Sequence, residues 1–273
     1  MIEIPESEII SQQATGILTG RRIKKVVGGT SPHKFAWYSG DPLDYPALLE
    51  GRKVEVVRGY GSYVDLILDD DVHLVVGDGT HLRYYGTEEQ HPVKHQLLVV
   101  LDDGSFLVLT VAMYGAIYAF RGEFDNPYYQ GSVHKLNPLH EQFDESYFEN
   151  MIAGLKKDLS VKALLATEQR IPGLGNGVVQ DILFNAGLHP RRKVSTLSDL
   201  NKTDLLYSMK GTLDRMVEQG GRDTEKDFLG NWGGYQVVLS KNTYKNPCPN
   251  CSHEIIREAY LGGNVYYCPV CQK

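Results

Sequence analysis

Four cysteines, all at the C-terminal end, carry the clearest chemical signal in the chain. Cys248-Pro-Asn-Cys251 and Cys268-Pro-Val-Cys271 are two CxxC pairs separated by the segment 252–267. Each CxxC turn can point two thiolates at one ion, and two such turns close a tetrahedral site with no open position. The metal expected, Zn²⁺, is therefore structural; disulfides or a redox CxxC are the competing uses of the same residues. A second feature is Pro172-Gly173-Leu174-Gly175-Asn176, a tight turn leading into a helix. Free backbone N–H groups and the helix dipole make such a turn an anion site, although an Asn between glycines also serves as an ordinary helix cap. Lys162 precedes the turn, and Arg191, Arg192 and Lys193 follow it. Alone these are solvated surface; beside an anion-binding turn they become candidate contacts to a phosphate backbone. His33, His73, His81 and His189 lie in unrelated contexts, so no second metal site is expected. Gly77-Asp78-Gly79-Thr80 lacks the lysine of a nucleotide-binding loop and reads as a hairpin turn.

The elements that must position these residues fall into three zones. Residues 5–15 read as a helix, with Pro5 suited to its first turn and Glu6 and Glu8 to its positive end. Short strand-like runs follow at 53–57, 62–68, 72–76, 95–103 and 105–120, separated by turn signals at 69–71, 77–80 and 102–104. That pattern predicts a β-sandwich. The stretch 121–140 is rich in Gly, Asn, Pro and Tyr and suits a hinge. Helical spacing then takes over at 143–158, 160–168, 176–187 and 201–221, the last with Asn201 and Asp204 placed almost as a capping box. Strand-like residues return near 235–239, and the segment between the cysteine pairs reads as a hairpin with Gly262-Gly263 at its tip. The fold class expected is α+β: a sandwich over 1–125, a hinge over 126–140, a helical domain over 141–235 and a zinc-binding hairpin over 236–273.

The order of these parts resembles the formamidopyrimidine-DNA glycosylase / endonuclease VIII family. Residues 171–198 are similar to that family's helix–two-turn–helix, 218–228 to the stretch after it, and Met-Ile-Glu-Ile-Pro-Glu-Ser-Glu to its N-terminal start. The resemblance spans essentially the whole chain. It implies that Gly175, Asn176 and their turn grip a DNA phosphate, with Lys162, Arg191 and Arg192 near the backbone. It also implies base flipping out of a kinked duplex, the gap being filled by a wedge. In this family an N-terminal amine attacks C1′ of the damaged nucleotide to form a Schiff base. Glu3 is then the general acid/base partner, and Glu6 stands in a second matching position.

The sequence departs from the family at four places. Position 2 is Ile2 where the family has proline, so the nucleophile expected is the primary amine of Met1 or, if Met1 is removed, of Ile2. Ser62 stands where the family carries a lysine. Met113 and Tyr114 occupy the wedge loop in place of an Arg-Arg-Phe run. Gly263 and Asn264 lie where the zinc hairpin of the family presents an arginine.

Charge bears on the same question. The net charge is −6, with 12 basic against 18 acidic side chains over positions 1–140 and 16 of each over 141–273. Duplex binders usually show the opposite balance. The leading reading is a base-excision repair protein, a DNA glycosylase / abasic-site lyase. A catalytically inactive reader of distorted DNA on the same scaffold is the alternative, and a zinc-stabilised protein-interaction module the third. The partner expected is double-stranded DNA, damaged or abasic, met by a monomer. No apolar run reaches the length of a membrane span, and the acidic start is not a signal peptide. The expected location is the cytoplasm, in association with the bacterial nucleoid.

Overall fold

A computed structural model describes all 273 residues. The chain opens with α1 (Ile4–Leu18), β1 (Ile23–Gly28), β2 (Ala36–Tyr38) and the short α2 (Tyr45–Leu49). Seven strands follow: β3 (Val54–Tyr60), β4 (Tyr63–Leu68), β5 (Val72–Gly77), β6 (Thr80–Tyr85), β7 (Leu97–Leu101), β8 (Phe106–Val111) and β9 (Gly115–Arg121). Five helices come next: α3 (Pro127–His134), α4 (Glu145–Ala153), α5 (Val161–Ala166), α6 (Asn176–Asn185) and α7 (Asp199–Glu218). A terminal hairpin, β10 (Ile256–Tyr260) and β11 (Gly263–Tyr267), ends the chain.

Strands β1 to β9 form two sheets, ordered β2-β9-β5-β4-β3 and β1-β7-β8-β6, and β10 pairs with β11 apart from them. Alternating apolar residues such as Val64, Leu66 and Leu68 on β4 face Leu97, Val99, Leu107 and Leu109 from the other sheet in one shared core. This is the sandwich that period-2 patterning predicts. A second core joins α4 to α7 through Phe148, Leu164, Val179, Ile182 and Met209. Helix α1 ties the two together: Ile10, Ala14 and Leu18 belong to the sandwich core, whereas Ile4 belongs to the helical one. Its first residues are thus fixed where the two bodies meet.

Several sequence expectations change in detail. Gly77–Thr80 is not a hairpin turn, because β5 and β6 lie in different sheets and the segment crosses between them. The run 105–120 breaks at 112–114 into β8 and β9. The 121–140 stretch contains α3, capped by the Asn126 side chain, which accepts from the N–H groups of Tyr128 and Tyr129. The long helix starts at Asp199, with Ser198 as its cap and Asn201 closing the box. Residues 235–239 form no strand, since the carboxylate of Asp181 accepts the Val238 and Leu239 N–H groups at 2.9 and 2.8 Å in place of a partner strand. The hairpin turns at Leu261-Gly262, both with positive φ, and not at Gly262-Gly263. No helix is long and apolar enough to cross a membrane.

Candidate nucleic-acid interface and active site

The site is built around the first residues of α1. The Ile2 side chain is buried in the sandwich core, and its N–H donates to the Asp78 carbonyl at 2.8 Å. The Ile4 N–H donates to the Gly173 carbonyl at 3.0 Å, joining α1 to the turn before α6. Sandwich and turn touch at two glycines, Gly61 and Gly173, both in the left-handed region. A Cβ on Gly61 would meet the Pro172 backbone at 2.8 Å, and one on Gly173 would collide with the Gly61 backbone. Only glycine permits both the conformation and the approach.

Glu3 is buried between two helix starts. Its carboxylate accepts the Gly177 and Val178 N–H groups at 2.9 and 2.8 Å, so the anion at the N-terminus of α6 is an internal one. Gly175 is the N-cap of α6, and Asn176 is its first residue. Behind Glu3 lies Arg222, buried, with Nη1 3.3 Å from Glu3 and a two-point contact to Glu6 through Nε at 2.9 Å and Nη2 at 2.5 Å. Burial raises the pKa of Glu3 above the usual carboxylate value, against the pull of Arg222 and the two N–H groups. Glu6 faces Arg222 and not the cleft.

A cleft of about 590 Å³ opens above these groups and is lined by Met1, Glu3, Ser62, Asp78, Met113, Tyr114, Glu168, Gly175, Asn176 and the hairpin glycines 262 and 263. No lysine, arginine or histidine side chain lines it. Its one cation is the Met1 α-amine, which meets the Glu225 carboxylate at 2.5 Å. Burial raises the pKa of Asp78. His81 is neutral at pH 7, its pKa pushed down to about 4 by burial and by the charges of the Met1 amine and Arg83. A smaller hollow of about 290 Å³ on the other side of Met1 shares Glu3 and Asn176 and adds Gln180, Thr224, Glu225, Tyr266 and two cationic side chains, Arg222 and Lys241.

The structure brings Met1, Glu3, Met113, Tyr114, Gly175 and Asn176 to one cleft and leaves the basic candidates outside it. Lys162 is buried, and its Nζ donates to the Tyr260 carbonyl at 2.7 Å. Arg191 stacks over the Tyr260 ring at 3.9 Å and pairs with Glu258 at 2.7 Å. Arg192 donates to the Asn201 side chain at 2.8 Å. Asn176 donates to the Asn264 carbonyl of the hairpin at 3.1 Å and accepts from Gln180. Arg222 and Glu225 are the residues that reading the sequence missed. Their partners, Glu6 and Met1, lie at the opposite end of the chain, and the resemblance of 218–228 to the family covers both residues without giving either a role.

The sulfur atoms of Cys248, Cys251, Cys268 and Cys271 lie within 4.8 Å of one another, with Cys251–Cys268 at 3.4 Å and Cys248–Cys271 at 3.8 Å. A tetrahedral thiolate site with metal–sulfur bonds of about 2.3 Å has sulfur edges of about 3.8 Å. The donor set therefore fits one soft metal ion.

Comparison with known proteins is consistent with this architecture. A family model described as the formamidopyrimidine-DNA glycosylase H2TH domain matches residues 135–227. Formamidopyrimidine-DNA glycosylase of Heliobacterium modesticaldum is 30% identical over 283 residues, covering 100% of both chains. That of Brevibacillus brevis is 29% identical over 291 residues, covering 100% of this chain and 99% of its own. Among solved structures, the MutM (Fpg) protein of Thermus thermophilus superposes with a TM-score of 0.81 at 26% identity, over 99% of this chain and 98% of its own. The Lactococcus lactis Fpg in complex with DNA containing an abasic site shares the fold, with a TM-score of 0.84 at 22% identity over 99% of each chain. With full-length similarity at this level and the H2TH match, the chain belongs to the formamidopyrimidine-DNA glycosylase family.

Proposed function

We propose that the protein binds damaged or abasic double-stranded DNA as a monomer and acts in base-excision repair as a glycosylase and abasic-site lyase. The observation that carries this reading is the Met1 amine, held by Glu225 at the junction of two hollows, with Glu3 and Asn176 in the walls of both. An amine so placed can attack C1′ of an extruded nucleotide as the bond to the base breaks and the base leaves; opening of the C1′–O4′ bond then gives the Schiff base, which permits strand cleavage by elimination. Glu3, with its raised pKa, is suited to pass a proton to and from the sugar. Met113 and Tyr114 stand at the cleft rim as the wedge. The four thiolates hold Zn²⁺, which fixes the hairpin against α6 and supplies no chemistry. Bacterial relatives support a cytoplasmic, nucleoid-associated location.

A second reading, a DNA reader that does not cut, is favoured by Ile2 standing at the position where the family has its nucleophilic proline. Borohydride trapping on a duplex with an abasic site, run beside a gel shift, separates the two. A covalent band that is lost in Glu3→Gln, while that variant still shifts the duplex, supports the lyase. A shift with no band in the parent protein removes Schiff-base chemistry and leaves the reader.

A further inference from the structure

A cluster of exposed aromatic residues lies beside the cleft. Strand β2 pairs in parallel with the start of β9, with Trp37 opposite Ala116. Alternation along β2 packs Ala36 and Tyr38 against the sandwich core and turns Trp37 outward, 47% exposed. Phe35, 49% exposed, precedes the strand, and its carbonyl accepts the Gly115 N–H at 3.0 Å. The Trp37 ring lies 5.8 Å from that of Tyr114, tilted by 46°. Met113 is 64% exposed beside it. Lys34 sits with its Nζ 5.5 Å from the Phe35 ring.

Two large rings half in water forgo burial that their size would otherwise reward, and aromatic residues gathered on one surface mark a binding face. Tyr114 and Met113 line the cleft, and Tyr114 meets Trp37, so the aromatic surface is continuous with the cleft rim. The cleft offers no cationic side chain to a phosphate, and the net charge is −6, so electrostatic grip is weak here. A ring face binds any nucleobase by stacking, with little need of charge.

We propose that Trp37 and Phe35, continued by Tyr114 and Met113, form a stacking ledge for an unpaired nucleobase next to the lesion. The ligand is thus DNA with bases already released from pairing, held by ring faces with Lys34 beside them. This inference rests on the DNA-binding reading above and extends it from the cleft to the strand outside.

The test uses the full chain carrying Trp232→Phe, which leaves Trp37 as the only tryptophan. The probes are single-stranded oligo-dT, a duplex with an abasic site and the same duplex fully paired. Expected are quenching of Trp37 emission by oligo-dT and a Kd raised about tenfold by Trp37→Ala for the first two probes. Trp37→Phe should stay close to the parent, and the fully paired duplex should change little. Unchanged affinity in Trp37→Ala, or no quenching, overturns the ledge. So does self-association of the chain that Trp37→Ala abolishes, because the ledge would then cover a second copy. If trapping fails while the Trp37 results hold, the lyase chemistry falls and the ledge stands.

Discussion

The two walls of the cleft are built on opposite principles. The helical wall is made of main chain and buried charge: glycines at 173, 175 and 177 bring the backbone close, Glu3 occupies the N–H groups of α6, and Arg222 holds Glu3 and Glu6 together. The sandwich wall is made of side chains with few ties to the rest of the fold: Ser62, Asp78, Met113 and Tyr114, the last of which meets the Met1 sulfur at 3.8 Å and the Trp37 ring at 5.8 Å. Geometry on the first wall is locked because each polar group there satisfies another. On the second wall no fold contact depends on the charge facing the cleft, so that charge is free to differ from relatives. The scaffold of a repair protein can thus persist while its electrostatic grip on DNA changes.

The largest effect should come from breaking the locked wall. Arg222→Leu leaves two buried carboxylates without a counter-charge, which costs about 3–5 kcal/mol of stability. Urea unfolding at pH 7 measures this, and the deficit should shrink by pH 5. The sign follows from Glu3, whose pKa burial already raises, so that it takes up a proton readily once Arg222 is gone. A loss under about 1 kcal/mol would show that the cluster is not what organises this wall.

How much of this was legible in the sequence follows the same division. The cysteine pairs, the turn at 172–176 and the sandwich periodicity are local signals, and the residues they mark come together in the structure. Arg222 after Gly220-Gly221 looks like any surface charge, and its burial depends on α1 arriving from the far end of the chain. Glu225 is similarly silent until Met1 is placed beside it. Lys162 and Arg191 show another limit: a basic residue near an anion-binding turn reads as a phosphate contact, and the sequence does not reveal that the hairpin supplies Tyr260 and Glu258 as internal partners as well. Side-chain type and spacing cannot report which of two partners is nearer in space.

Asn176 is the one residue of the helical wall that is exposed to a ligand while also tied inward, to the Asn264 carbonyl. Asn176→Ala should weaken DNA binding about fivefold, the value of one hydrogen bond of about 1 kcal/mol, with the fold intact. Equal gel-shift affinities in parent and variant would take Asn176 out of the interface. The sandwich wall can be sharpened instead of broken. Ser62→Lys puts a cationic side chain where the cleft has none, and should steepen the salt dependence of binding by about 0.9 in log–log slope, roughly threefold between about 50 and 200 mM salt. A slope that does not move would mean that no phosphate passes this wall.

The smallest effect on DNA binding, none at all, is expected away from both walls, at the joint between α3 and the sheet. The Tyr129 hydroxyl donates to Asp65 at 2.8 Å, and His73 Nδ1 lies 3.0 Å from the same carboxylate, with Asp71 3.6 Å from its other nitrogen. The His73 ring stacks on Phe120 at 4.9 Å. Burial lowers the His73 pKa, but the two aspartates outweigh it, and the net direction is up. A histidine whose folded pKa is raised stabilises the fold fully below its unfolded pKa of about 6.5 and loses that contribution as pH rises through the folded value. His73→Gln should therefore cost about 1 kcal/mol at pH 5.5 and less at pH 9 by urea unfolding, and leave DNA affinity unchanged. A cost that grows with pH would reverse the assignment of the charged form. A change in DNA affinity would mean that the α3 joint sets the separation of the two walls, so that they could not be treated as independent.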